Sequence, residues 1–220
     1  ILSQMEEAGA SYAAALKEAQ RLGFAEADPT MDVSGADAAQ KLAILAHLAF
    51  GARVHWKDIP CAGIDSLDPQ DIRYARELGY RIKLVASAKL RDNGLELHVT
   101  PTLVKAGKPL AEVRGAFNAL SVIGDAVGPL FYHGLGAGQM PTASAVVADM
   151  IDMAVGRTQI TFNTLELWSN REARVKMCDA ADLTGRYYLR FQVEDRPGVL
   201  AEITGILGKQ NISIASVIQR

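Results

Sequence analysis

Four carboxylates, Glu26, Asp28, Asp32 and Asp37, fall within twelve residues, and Lys41 lies one helical turn beyond the last. An i,i+4 spacing sets Asp37 and Lys41 on one helical face. From Leu42 to Phe50 the sequence is apolar on nearly every side, His47 excepted, which predicts a buried helix. Lys41 then marks the point where a solvated helix gives way to a dry one. A lysine there can be tuned by burial against nearby carboxylates, as proton transfer to or from a substrate oxygen requires.

Spacing also allows plainer roles. Asp37 is three residues after Ser34 and could complete a capping box, and Asp37–Lys41 could be an ordinary i,i+4 pair contributing roughly 0.2–0.5 kcal/mol. Asp28-Pro29 is common turn chemistry. The acidic spacing of a calcium loop is absent and no histidine joins the group, so no metal site is expected.

Helical periodicity over residues 3–22, from Met5 and Ala8 through Tyr12, Leu16 and Ala19, predicts one helix stopped by Gly23. Residues 24–33 read as an acidic loop, since Pro29 biases Asp28 away from helix. A second helix is expected from Ser34 to Phe50, and a third over 68–79 with Asp68 as cap and Pro69 in its first position. The period then changes. Residues 80–90, 95–104, 111–118 and 119–132 read as strands joined by short turns such as Asp92-Asn93-Gly94, hence antiparallel. Pro141 opens a helix to about Val155. The fold class is α+β, with helices packed on a mostly antiparallel sheet.

Gly134-Leu-Gly136-Ala-Gly138 has GxGxG spacing, not the GxGxxG of a dinucleotide fingerprint, and no second βα unit supplies the acidic residue that fingerprint needs. A tight turn that lets backbone approach another surface is the direct reading. Residues 157–185 form a mixed linker. Beyond it, Leu189, Phe191 and Val193 alternate ahead of Asp195-Arg-Pro197-Gly198, an amphipathic helix follows, and a strand is expected from Ile212. That is the first β-α-β half of a ferredoxin-like unit. Asp195 could cap its helix, and exposed amides near Gly198 could receive a ligand carboxylate.

The formal net charge is −2 without a Lys/Arg block, which argues against a nucleic-acid or anionic-membrane surface. No apolar run has the length of a bilayer span. Cys61 and Cys178 are too far apart for a metal knuckle, and a reducing cytoplasm is the simplest compartment. His47, His55, His98 and His133 lack ligand spacing, and Trp56 and Trp168 read as packing residues. The chain opens inside an apolar-patterned segment and ends at Arg220 inside a strand-like run, so it is expected to be part of a longer one.

The run Glu26-Ala-Asp28-Pro29-Thr-Met-Asp32-Val-Ser-Gly35-Ala-Asp37-Ala-Ala-Gln-Lys41-Leu, preceded by Ala19-Gln20-Arg-Leu-Gly23-Phe-Ala, resembles the substrate-site signature of homoserine dehydrogenases. The similarity covers residues 1–156, which would be the catalytic, substrate-binding and dimerisation domain. The resemblance implies NAD(P)-dependent interconversion of L-homoserine and L-aspartate 4-semialdehyde, within threonine and methionine biosynthesis. It implies Lys41 as the acid–base group at the C4 oxygen, Asp37 as its orienting partner, and Glu26 and Asp32 as contacts to the amino acid. A zwitterionic substrate calls for carboxylates, and hydride transfer at an alcohol calls for one proton shuttle. Asp28 is left structural. Gly134 and Gly136 resemble the segment bordering the nicotinamide, with NAD or NADP held mainly by a nucleotide-binding domain expected ahead of residue 1. This piece alone is therefore expected to turn over nothing.

Residues 186–220 resemble a truncated ACT domain, which implies an amino-acid effector such as threonine near Gly198 and Asn211. A homo-oligomer is also implied, with the sheet of residues 80–132 as its surface. Two other readings remain open. One is an amino-acid-sensing module on a non-catalytic scaffold, and the other is a dehydrogenase of a different small amino or hydroxy acid.

Overall fold

Gly9 divides the first predicted helix in two. In the computed structural model, which describes residues 1–164, 175–179 and 183–219, α1 spans Leu2–Glu7 and α2 spans Tyr12–Arg21. Gly9 takes a left-handed φ of +64°, and the Ser11 hydroxyl restarts the helix by accepting from the Ala14 amide at 3.3 Å. Apolar periodicity runs across this break because both helices bury onto the same core, so spacing alone could not reveal it.

The acidic loop is shorter than expected. Residues Thr30–Ser34 form a helical turn, α3, and Gly35 at φ +83° separates it from α4, Ala36–Phe50. Gly51 ends α4 in the left-handed conformation, as its place after the apolar run predicted. Buried Ala39, Leu42 and Ala46 line one face of α4, whereas Ile44, Leu45 and Leu48 are exposed. The expected all-round burial of this helix is not present.

After a 3-10 turn at Trp56–Asp58, α5 spans Pro69–Glu77 with the anticipated cap: Asp68 accepts from the Gln70 amide at 2.8 Å. β1, Tyr80–Arg91, and β2, Gly94–Lys105, then pair antiparallel from Tyr80↔Lys105 to Arg91↔Gly94, turning on Asp92-Asn93. The region expected as strands 111–118 and 119–132 is partitioned differently. A 3-10 turn covers Pro109–Glu112, and β3, Phe117–Gly124, pairs with β4, Gly128–Leu135, as a separate two-stranded sheet. The β3–β4 turn falls at residues 125–127, between Gly124 and Gly128 at φ +70°, so the Gly-Asp pair at 124–125 was a turn signal inside the stretch read as one strand.

Two apolar clusters sit on the β1–β2 hairpin. Leu95, Leu97 and Val99 of β2 pack with Ala39, Leu42 and Ala46 of α4 and with Ala52 and Ile59. Met5 of α1, Ala15 of α2, Ile72 and Ala75 of α5 and Ile82 of β1 form the second. The α+β class follows: helices cover one face of an antiparallel hairpin. Trp56 packs beside the first cluster as expected, while Trp168 and parts of the predicted linker (165–174 and 180–182) lie outside the described residues.

α6, Gln139–Ala154, begins two residues before Pro141, and α7 spans Arg157–Thr164. Neither has a buried residue, and Val146, Val147, Met150 and Ile151 of α6 face solvent. Toward the carboxy terminus the helix of the expected β-α-β unit is present as α8, Val199–Lys209. Its flanks form no strands among the described residues, because neither finds a partner to complete a ladder. Tyr187, Leu189, Phe191 and Val193 consequently remain exposed. Asp195 does not cap α8; Gly198, at φ +91°, occupies the N-cap position without a side-chain hydrogen bond. Among the described residues, no helix is long and apolar enough to cross a membrane.

Candidate active site

The α3–Gly35–α4 junction carries two of the carboxylates, Asp32 in the first turn of α3 and Asp37 in the first turn of α4. Its position is set by a strip at residues 60–64. Val99 of β2 donates its amide to Pro60 O at 2.9 Å, and Ala62 returns one to Val99 O at 2.8 Å. The same strip reaches the junction: Ile64 donates to Val33 O at 2.8 Å, and the Cys61 thiol to Ser34 O at 3.2 Å. A side chain at Gly35 would bring its Cβ to 2.9 Å from Cys61 Sγ and 3.2 Å from Val99 Cγ1. Gly63 lies directly against the Val33 carbonyl, where any Cβ would collide. The junction is thus seated on the sheet by small residues, a requirement that composition and spacing did not disclose.

On α4, Lys41 Nζ donates to Asp37 Oδ2 at 2.7 Å, as i,i+4 geometry predicts. Their side chains are 61% and 45% exposed, so the dry setting expected for Lys41 is absent from this structure. An exposed pair of this kind contributes only about 0.2–0.5 kcal/mol to folding. The same openness leaves both groups accessible to a ligand.

The second pair is Glu26 and Asp32. Asp32 Oδ2 accepts the backbone amide of Glu26 at 3.0 Å, which ties the loop back onto α3. The Glu26 side chain is exposed. Asp28 bonds locally, its Oδ1 accepting from Thr30 N at 3.1 Å and from Thr30 Oγ1 at 2.6 Å. Those bonds, the hydroxyl first, hold its carboxyl below the usual carboxylate range. Turn-forming is what the structure shows Asp28 doing. The sequence reading gave no role to Gln20, yet its side-chain amide donates to Glu26 O at 2.9 Å and Ala27 O at 3.3 Å. A primary amide one residue inside the end of a helix, ahead of a glycine and a short loop, was the signal available.

No hydrogen bond or ion pair joins the Glu26–Asp32 pair to the Asp37–Lys41 pair among the described residues, and no group of His, Cys, Asp and Glu there could hold a metal. Two cavities lie elsewhere, one lined by Glu6, Glu7, Arg76, Arg81 and Arg114, the other including Arg91, Asn93, Glu96 and Cys178.

The glycine turn is fully exposed. Gly134 has open space where a side chain would stand, whereas Gly136 lies against the Asn118 side chain, which fills that space. Asn118 is itself exposed, so its side chain could swing away from a larger residue at 136. The turn is an open surface, with no enclosing walls among the described residues. At the carboxy end, Gly198 and Asn211 bracket α8, and Asn211 takes a left-handed φ of +56°.

Residues 1–151 match the homoserine dehydrogenase family, and residues 187–220 match the ACT domain. Homoserine dehydrogenase of Neisseria gonorrhoeae is 45% identical over 223 residues, covering all of this chain and 51% of that protein. A crystal structure of homoserine dehydrogenase from Thiobacillus denitrificans matches with a TM-score of 0.78 at 43% identity, again over the whole chain and 51% of its counterpart. A hyperthermophilic archaeal homoserine dehydrogenase mutant in complex with NADPH matches at 28% identity and a TM-score of 0.56, over 70% of this chain and 43% of that one. The chain spans about half the length of the curated relatives it matches. An acidic loop clasped onto α3, a lysine–aspartate pair on α4 and a sequence match through both are found together, and the chain belongs to the homoserine dehydrogenase family.

Proposed function

We propose that the protein interconverts L-homoserine and L-aspartate 4-semialdehyde, in threonine and methionine biosynthesis, using NAD or NADP. The observation that carries this reading is the pairing of an accessible lysine with an aspartate one turn away, beside a loop that presents a glutamate. Glu26 receives the substrate ammonium, and Asp32 adds negative charge beside it. Lys41 acts at the C4 oxygen: its ammonium gives a proton to the aldehyde in the reducing direction, and its amine takes one from the alcohol in the oxidising direction. Asp37 orients Lys41 through the 2.7 Å hydrogen bond. Gly134 and Gly136 border the nicotinamide. When bound, that cofactor accepts or supplies the hydride at C4 of the substrate.

The ACT match supports an amino-acid effector such as threonine near Gly198 and Asn211, where α8 begins with no side-chain cap. A homo-oligomer is part of the same proposal. The exposed apolar residues of β3 and β4, including Leu120, Val122, Leu130 and Phe131, support it.

The test is a steady-state assay of the intact gene product with L-homoserine and either dinucleotide, alongside simple 2-hydroxy acids. Reduction of the dinucleotide with homoserine, and not with the hydroxy acids, is expected. Turnover of a hydroxy acid in preference to homoserine overturns the proposal.

A further inference from the structure

Both backbone polar groups of Glu26 are held by side chains of the two flanking helices, α2 and α3. Asp32 Oδ2 accepts its amide at 3.0 Å, and Gln20 Nε2 donates to its carbonyl at 2.9 Å. A second bond from the same amide group reaches Ala27 O at 3.3 Å. Residues 24–29 belong to no helix or strand; the Phe24 and Ala25 amides donate to Ala19 O, but no backbone-to-backbone bond holds Glu26 itself among the described residues. Fixing the peptide planes on either side of one residue fixes the direction in which its Cβ leaves the chain. Gln20 is the half of this clamp carried by α2. It sits near the end of α2, whose Ala15 is buried in the core with Ile72 and Ala75, so its amide is presented from a rigid element.

We propose that Gln20 is a positioning residue for the amino-acid site. Acting through the backbone of residues 26 and 27, it aims the Glu26 carboxylate at the substrate ammonium. The inference rests on the assignment of Glu26 made above. The ammonium does not change during reaction at C4, so its contact is equally strong in the ground state and the transition state. Loosening that contact raises KM and leaves kcat nearly unchanged.

Steady-state kinetics of the intact protein test this with two variants. Gln20→Met keeps the length and packing of the side chain and removes its donor, whereas Gln20→Lys keeps a donor of similar reach. For Gln20→Met, KM for L-homoserine is expected to rise about tenfold, with kcat within about threefold and an unchanged Tm. Gln20→Lys is expected to restore KM to within about threefold of the parent value. An unchanged KM in Gln20→Met overturns the inference, as do equal impairment of both variants and a loss that follows a lowered Tm. Lys41→Ala, measured in parallel, separates the two levels. Full turnover in Lys41→Ala overturns the functional assignment and this inference with it. Loss of turnover there, with a parental KM in Gln20→Met, overturns the role of Gln20 alone.

Discussion

Lys41 Nζ stands 2.7 Å from Asp37 Oδ2 on an exposed face of α4, and neither group is held by any other hydrogen bond or ion pair among the described residues. A contact with so little structural value is open to substitution without loss of the fold. In the intact protein, Lys41→Ala is expected to lower kcat by about 10²–10⁴-fold, the usual contribution of a general acid–base. Thermal denaturation is expected to show a Tm within a few degrees of the parent. Unchanged turnover removes Lys41 from the chemistry.

Gly35 is the bearing on which that pair turns. Its left-handed φ of +83° and the 2.9 Å approach to Cys61 Sγ leave no room for a side chain. Gly35→Ala is expected to lose about 1–2 kcal/mol from backbone conformation alone, with more from the clash. Repeating Gly35→Ala in a Cys61→Ala background should recover the part of the clash due to Cys61 and leave the conformational loss and the tight contact with Val99. Denaturant titration of the single and double variants measures both. Identical losses in the two backgrounds would show that Cys61 is not the obstacle.

Leu97, fully buried on β2, supports α4 from beneath. Leu97→Ala is expected to destabilise the protein by about 2–5 kcal/mol, because the close-packed neighbours Leu42 and Ala46 cannot fill the cavity. Equilibrium unfolding gives the value, and a loss below about 1 kcal/mol contradicts this account of the core.

Acid should weaken the fold through carboxylates held below their ordinary range, Asp28, Asp68 and Glu112 among them. The Thr30 hydroxyl does this chiefly for Asp28, the Gln70 amide for Asp68 and the Gly107 amide for Glu112. Each binds its proton less readily folded than unfolded. Their contribution is therefore complete above the unfolded carboxylate range, about pH 4, and disappears as pH falls through the lower folded values. Tm is expected to drop below about pH 4, and Asp28→Asn or Asp68→Asn should flatten that decline. An acid limb identical to the parent in both variants sinks the assignment.

Features set by neighbours in the chain were legible from residue types alone. The α5 cap at Asp68, the Asp37–Lys41 spacing, the Asp92-Asn93 hairpin and the C-cap at Gly51 depend on residues within a few positions, so local chemistry decides them. The signature from Ala19 to Leu42 was legible in the same way and pointed to the family. Contacts between separate elements were not. The break at Gly9 was masked because α1 and α2 share one apolar cluster, and the exposure of α4 depends on what packs against it, which no single helix records. The clamp of Gln20 and Asp32 on Glu26, and the seating of Gly35 against Cys61 and Val99, exist only once α2, α3 and β2 have been brought together. By itself the sequence determined which groups are available for chemistry. Tertiary structure decided which of them meet and how each is aimed, because hydrogen bonds and close packing act through space and take no account of separation along the chain.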